Sequence, residues 1–431
     1  MESKSLRIYA TADIPRLRYI SGIILGDILG VAWEIVSDRR KLGKHPVINY
    51  SNENIPGSFR IHPDELLFET GLKEREIPVD EWNGLPCFFP VSAASDFPFD
   101  LFAASFFLVT RYEEYLGHKK DEHGRFMASS SLAGRNGFLD RPVVEYWARE
   151  FAKALLKKFP NLTFRRNEFS SLVTFDIDEP FAYLGKNVFS SIGGLIRDLT
   201  SNDGHAAERY KILVGEGKDP YEVFGYLTEK IDQYKAPCRF FFPVGDHSKF
   251  DRNPSWKNEE YRKLIREIAG RYPPGLHPSY FASFDKKLIA AENARLKAIT
   301  GKAVTINRFH SVRFSMPASY TGLAACGITE DFSMGYPDAP GFRAGIARPY
   351  PFYDVSTDTP TSLKIVPFQV TDTFLFSGNI IPEQTIRSMI SETRKAGGLF
   401  MSIWHNTSLL FNSDCQSKRD LFELMLRLQM Q

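Results

Sequence analysis

The sequence predicts an α/β protein, with a parallel β-sheet covered by helices over residues 169–431 and a smaller α+β domain over residues 1–168 before it. Three observations lead there. At 431 residues the chain exceeds the length at which one hydrophobic core usually stops growing, so two domains are expected. From residue 169 onward short apolar runs alternate with amphipathic segments, which is how successive βα units read. Before that point the chain is irregular, with several proline-containing stretches and one clear helical pattern.

That helix is expected over residues 102–116, where Phe102, Phe106, Val109, Glu113 and Leu116 fall near one face. Its charged end, Arg111-Tyr112-Glu113-Glu114-Tyr115, reads as a solvated helix face with local ion pairs. In the second region residues 171–176 are the first strand. Asp219-Pro220-Tyr221-Glu222 combines an N-cap, a proline at the first helical position and a glutamate three residues after the cap, so a helix is expected to start there. Residues 238–244 form the next apolar run, and Tyr261, Leu264, Ile265 and Ile268 mark a helix stopped by Gly270. Leu288, Glu292, Leu296 and Ile299 mark another, closed by Gly301 and followed by a strand at 303–306. Pro382 opens a helix with Ile386, Met389 and Ile390 inward, Gly397-Gly398 closes it, and residues 399–404 run as a buried strand into His405.

Composition narrows the function classes. The formal net charge is +2 with lysine and arginine scattered among the acids, so no broad electropositive face is expected and nucleic acid is excluded as a partner. No apolar stretch is long enough to span a bilayer, and residues 1–5 lack a secretory signal, so a cytoplasmic protein is expected. Cys87, Cys238, Cys326 and Cys415 are too far apart for a CxxC pair and are expected to be reduced and mostly buried.

In a parallel sheet, function sits just past strand C-termini, whether the sheet is closed as a barrel or open. Polar residues there are Asp176 with Asp178, His277, Arg308 with His310, and His405. Two carboxylates two residues apart at a strand end suit a metal beside one and a general base in the other. His277, in Gly275-Leu276-His277-Pro278-Ser279, offers a neutral imidazole to a metal such as zinc. Arg308 and His310 alternate onto one side, supplying a charge partner for the base and a ligand. His405 could protonate a departing amine or alcohol if a carboxylate orients it, and Asp331 and Asp372 are both candidates for that carboxylate. Gly341-Phe342-Arg343-Ala344-Gly345 reads as an active-site loop or a plain turn.

Taken in order, these segments resemble the polysaccharide deacetylase (NodB-homology, carbohydrate esterase) family over residues 171 to about 410. Thr174-Phe175-Asp176-Ile177-Asp178 matches its first motif, His277 begins the second, Arg308 matches the arginine motif, and Ile403-Trp404-His405 matches the last. The resemblance implies a distorted (β/α) barrel with Asp176 as base, Asp178 and His277 as metal ligands and His405 as acid. The second motif departs from the family's HxxxH, because Phe281 stands where the second histidine would be. His310 is the expected substitute ligand. The N-terminal region resembles the domain of unknown role that precedes such deacetylase-like domains in some bacterial proteins.

The expected function is therefore hydrolysis of an acetyl group, N- or O-linked, from a sugar, assisted by a divalent metal, zinc above others, held by Asp178, His277 and His310. The expected partner is an acylated sugar or a nucleotide- or lipid-linked glycan precursor. Two alternatives are a DxD glycosyltransferase, with Asp176 and Asp178 on a metal-bound diphosphate, and a catalytically inactive sugar-binding scaffold of the same fold.

Overall fold

A computed structural model describes residues 5–184 and 209–430, apart from residues 93, 213 and 379. The chain divides into two compact units. One comprises Met1–Ser170, Met334–Pro367 and Ser391–Phe400, the other Ser171–Ser333, Phe368–Ile390 and Met401–Gln431. The expected boundary at residue 168 is near the first crossing at Ser170, but the chain then returns to the first unit twice.

The first unit is more regular than its sequence suggests. Four short parallel strands lie in the order Trp33–Val36, Leu6–Tyr9, Val47–Asn49, Phe59–Arg60. Their brevity, two to four residues each, is why no alternating pattern announced them. The helix Leu101–Val109 is buried at every position, as a segment apolar all round must be, and Asp100 caps it by accepting from the backbone N–H groups of Phe102 and Ala103. Here the sequence expectation needs correction. The helix stops at Val109, Arg111 takes a left-handed backbone at φ 54°, and Tyr112–Tyr115 forms a separate 3₁₀ turn.

The charged run is not a solvated face either. Arg111 is fully buried and Glu114 nearly so. Glu114 accepts from Arg111 Nε at 2.7 Å and from Arg343 Nε and Nη2 at 2.8 and 2.6 Å. Burial pushes the Glu114 carboxyl up, but the guanidiniums of Arg343 and Arg111 outweigh it and hold the group at about 2. The glycine-bounded segment is thus part of this buried ion cluster in the first unit. Gly341 is required there, since its φ is 136° and a Cβ would lie 2.3 Å from the Leu139 carbonyl oxygen.

In the second unit seven strands lie in the order Glu330–Asp331, Ile306–Asn307, Pro274–Leu276, Cys238–Phe242, Ser170–Asp176, Leu399–His405, Val370–Thr371. Register pairs such as Phe175 with Phe240, Phe242 with Leu276 and Asn307 with Asp331 are parallel. Among the described residues no hydrogen-bonded pair joins the Glu330–Asp331 and Val370–Thr371 strands, and the expected closed barrel is not found. The amphipathic helices Glu259–Arg271 and Pro382–Ala396 follow the sequence periodicity, and Lys286–Thr300 does so except that Ile289 rather than Leu288 turns inward. The helix expected at Pro220 instead begins at Phe224, and the Asp219 carboxylate accepts from the backbone N–H groups of Ala182, Tyr183 and Leu184 as well as Tyr221.

This order gathers strand C-termini on one side of the sheet. Gly275 makes the close approach possible, since a Cβ would lie 2.4 Å from the Phe241 ring. The four cysteines are free thiols, and no helix among the described residues is long and apolar enough to cross a membrane.

Candidate metal centre and active site

Asp176 is the last residue of its strand and is almost fully buried. Burial is tolerable because Arg308 Nη1 donates to its Oδ1 at 3.0 Å. The same guanidinium donates to Thr174 Oγ1 at 2.7 Å and to the Phe332 carbonyl at 3.1 Å, and it lies 4.4 Å over the Phe241 ring. Burial lowers the pKa of Arg308 against the opposing pull of Asp176. The charge nevertheless stays, given how far above neutrality a guanidinium titrates.

Asp178 lies two residues on, past the strand, ringed by three imidazoles. Its Oδ1 is 3.2 Å from His277 Nε2, and its Oδ2 is 3.7 Å from His310 Nε2 and 3.6 Å from His405 Nε2. Burial would raise this carboxyl, but His310, His277 and His405 outweigh it and hold it well below the usual carboxylate range.

Each ring is turned by what its other nitrogen does. His277 Nδ1 lies 2.7 Å from the Arg308 carbonyl oxygen, which can only accept, so Nδ1 carries the hydrogen and Nε2 offers a lone pair when the ring is neutral. His310 Nδ1 donates to Asp251 Oδ1 at 3.0 Å, and His405 Nδ1 donates to Asp372 Oδ1 at 2.7 Å. Burial lowers the His405 pKa, but Asp372, joined by Asp178 and Asp176, outweighs it and lifts the ring to about 10. Opposed by the same burial, Asp178 and Asp251 raise that of His310.

The ligand atoms of Asp178, His277 and His310 all lie within 4.8 Å of one another, the one such group found among the described residues. Two of them, His277 Nε2 and Asp178 Oδ1, are buried without a hydrogen-bond partner. Facing lone pairs 3.2 Å apart repel unless a proton or a cation lies between them. Two imidazoles and a carboxylate are a fitting donor set for zinc.

Of the two carboxylates considered for His405, the geometry selects Asp372, which also accepts from the His405 backbone N–H at 2.8 Å. Asp331 is engaged elsewhere: it accepts from Asn307 Nδ2 and from the N–H and hydroxyl of Ser333, and burial raises its carboxyl to about 6. Phe281 is half exposed and offers no donor atom. Asp251 escaped sequence reasoning. Nothing but its position in the segment following the Cys238–Phe242 strand could have flagged it, and that segment has no periodicity. A cavity of 180 Å³ opens at Asp178 and His310, with Phe250, Asp251 and Arg252 in its wall.

A family model described as a family of unknown function (DUF7033) matches residues 6–160. No curated protein matches the chain. Among solved structures the chain is similar to a putative polysaccharide deacetylase from Mycobacterium smegmatis, at 15% identity over 60% of this chain and 84% of that one, with a TM-score of 0.37. It is also similar to a probable polysaccharide deacetylase from Pseudomonas aeruginosa PAO1, at 10% identity over 61% and 84%, TM-score 0.38. A 4-alpha-glucanotransferase from Thermococcus litoralis matches at 10% identity over 61% and 37%, TM-score 0.35. None of these likenesses assigns a role to a residue.

Proposed function

We propose that this chain is a metal-dependent hydrolase that removes an N- or O-linked acetyl group from a sugar or a nucleotide- or lipid-linked glycan precursor. The observation that carries the reading is the pair of facing, buried, unpartnered atoms His277 Nε2 and Asp178 Oδ1, with His310 Nε2 beside them. A divalent ion, zinc by its donor set, would be held by Asp178, His277 and His310 and would supply Lewis acidity to an acyl oxygen and a water.

The chain's own residues move the protons. Asp176 accepts one from the attacking water; Arg308 fixes its Oδ1, and its Oδ2 lies 3.9 Å from His277 Nε2. His405, charged through Asp372, donates the Nε2 proton to the departing nitrogen or oxygen as its bond to the acyl carbon breaks. The products are a carboxylic acid and the freed amine or alcohol. The sugar as substrate is inferred from the order of the sequence motifs. Three imidazoles around Asp178 make a poor magnesium-diphosphate site, which disfavours the glycosyltransferase alternative.

The test is metal content together with turnover. The purified protein should hold one zinc, lose deacetylation of N-acetyl and O-acetyl sugars on chelation, and regain it with zinc. Stoichiometric zinc without deacetylation would overturn the hydrolase assignment, and protein that takes up no metal would favour a scaffold.

A further inference from the structure

A cavity of 460 Å³ in the first unit joins a buried acceptor to a group of exposed cations. One wall is the face of the helix Val143–Lys158 on which Glu145, Arg149 and Ala152 follow at helical spacing. A second wall is the segment from Phe164 to Asn167. It is held in place by the Arg165 N–H, which donates to the Leu29 carbonyl at 2.8 Å, and by Asn167 Nδ2, which donates to the Ile28 carbonyl at 2.7 Å. Gly30 lets the Arg165 side chain pass, since a Cβ there would lie 2.6 Å from that of Arg165. The third wall is the end of the helix Pro382–Ala396, where Arg394 and Lys395 complement the negative end of the helix dipole and Lys395 Nζ pairs with Glu392 at 2.6 Å.

Charge and hydrogen bonding say what this cavity takes. Glu145 is 1% exposed, and its Oε1 accepts from the Ala347 N–H and from Arg348 Nε, both at 3.0 Å, so its charge is already met. Its Oε2 is buried without a hydrogen-bond partner. An acceptor left so is costly, and it calls for a donor from whatever fills the cavity. The guanidiniums of Arg149, Arg165 and Arg166 line the same space, and among the described residues none of them forms an ion pair. Arg149 donates to the Lys395 carbonyl, and Asp27 acts on Arg165 only from beyond ion-pair range. Guanidiniums gathered in a concave site concentrate anions, and their paired donors match phosphoryl oxygens. The volume lies within the roughly 300–1,000 Å³ of pockets that enclose a small molecule, and Phe164 and Ala152 give the wall an apolar part that a bare anion would leave uncovered.

We propose that this cavity binds an organic phosphate, its phosphoryl oxygens held by Arg149, Arg165 and Arg166 and one of its hydroxyl groups donating to Glu145 Oε2. The site is built from residues of the first unit and does not depend on the deacetylase reading. Its probes are inorganic phosphate, ribose 5-phosphate and ADP, each titrated into the full chain by calorimetry at low ionic strength. Ribose 5-phosphate or ADP should bind more tightly than inorganic phosphate by about tenfold or more, and the tighter of the two identifies the ligand as a sugar phosphate or a nucleotide. The double variant Arg165→Ala, Arg166→Ala should weaken that binding by about tenfold or more. Both side chains are exposed and unpaired, so the unfolding midpoint of the ligand-free variant should stay where it was. Arg165→Lys with Arg166→Lys keeps the charge without the paired donors and should recover only part of the loss. Glu145→Gln puts an amide donor where the free oxygen stood and should reduce the preference for the organic phosphates toward one. Failure of all three probes to bind, equal binding of all three, or binding that survives the double alanine variant overturns the site. A preference that survives Glu145→Gln overturns the hydroxyl contact.

Discussion

Asp251 Oδ1 lies 3.0 Å from Nδ1 of His310, and this one contact turns Nε2 of a histidine outside the second motif toward Asp178. Asp251 is almost fully buried and is also held by Ser248. Replacing it with asparagine keeps an oxygen for the Tyr280 N–H but removes the charge that orients the ring. Asp251→Asn should weaken zinc binding by about 10- to 100-fold. Competition against a chelator of known affinity measures it; unchanged affinity would show that His310 is not a ligand.

Asp176 is paired with Arg308 rather than grouped with the converging side chains of Asp178, His277 and His310. Asp176→Asn should therefore retain zinc and lose turnover by about 10²- to 10⁴-fold. Asp178→Asn should lose the zinc. Metal loss in the Asp176 variant would mean that the two carboxylates have exchanged roles.

His405 donates through Nδ1 to Asp372 and keeps Nε2 on the site side. An acid is needed most where the leaving group is poor. His405→Ala should cut hydrolysis of an N-acetyl sugar by about 10²- to 10⁴-fold and that of an activated phenyl ester far less. Equal losses on both substrates would make His405 a positioning residue.

The buried cluster of Arg111, Glu114 and Arg343 sets a pH dependence of stability in the first unit. Glu114 is held at about 2 in the folded chain against an ordinary 4.5. A carboxyl lowered by folding contributes stability that is complete above its unfolded value and is lost as pH falls through the folded one. Denaturant unfolding should show a constant contribution above about pH 5 and a decline from there toward pH 2, and Glu114→Gln should remove that slope. Glu114→Gln should also cost roughly 3–5 kcal/mol at neutral pH, because two buried guanidiniums lose their anion.

The sequence alone carried the elements whose physics is local. The helices Lys286–Thr300 and Pro382–Ala396 are written in apolar spacing and in closing glycines, Gly301 at φ 70° and Gly397 at φ 63°. Strand ends made Asp176, Asp178, His277, Arg308, His310 and His405 legible, because polar groups directly after buried strands have few reasons to be there. What stayed hidden was decided at long range. A charged run such as Arg111 to Tyr115 looks the same whether water or another charge satisfies it, and only the fold brings Arg343, 229 residues from Glu114, to bury it. Nor could periodicity choose between Asp331 and Asp372, or find Asp251, since a carboxylate's partner is fixed by which strands are neighbours. The Leu399–His405 strand lies between Ser170–Asp176 and Val370–Thr371, and that order puts Asp372 rather than Asp331 against His405. Residue type and spacing determined which groups could do chemistry; the tertiary structure decided which of them meet, because hydrogen bonds and ion pairs act over a few ångströms whatever their separation along the chain.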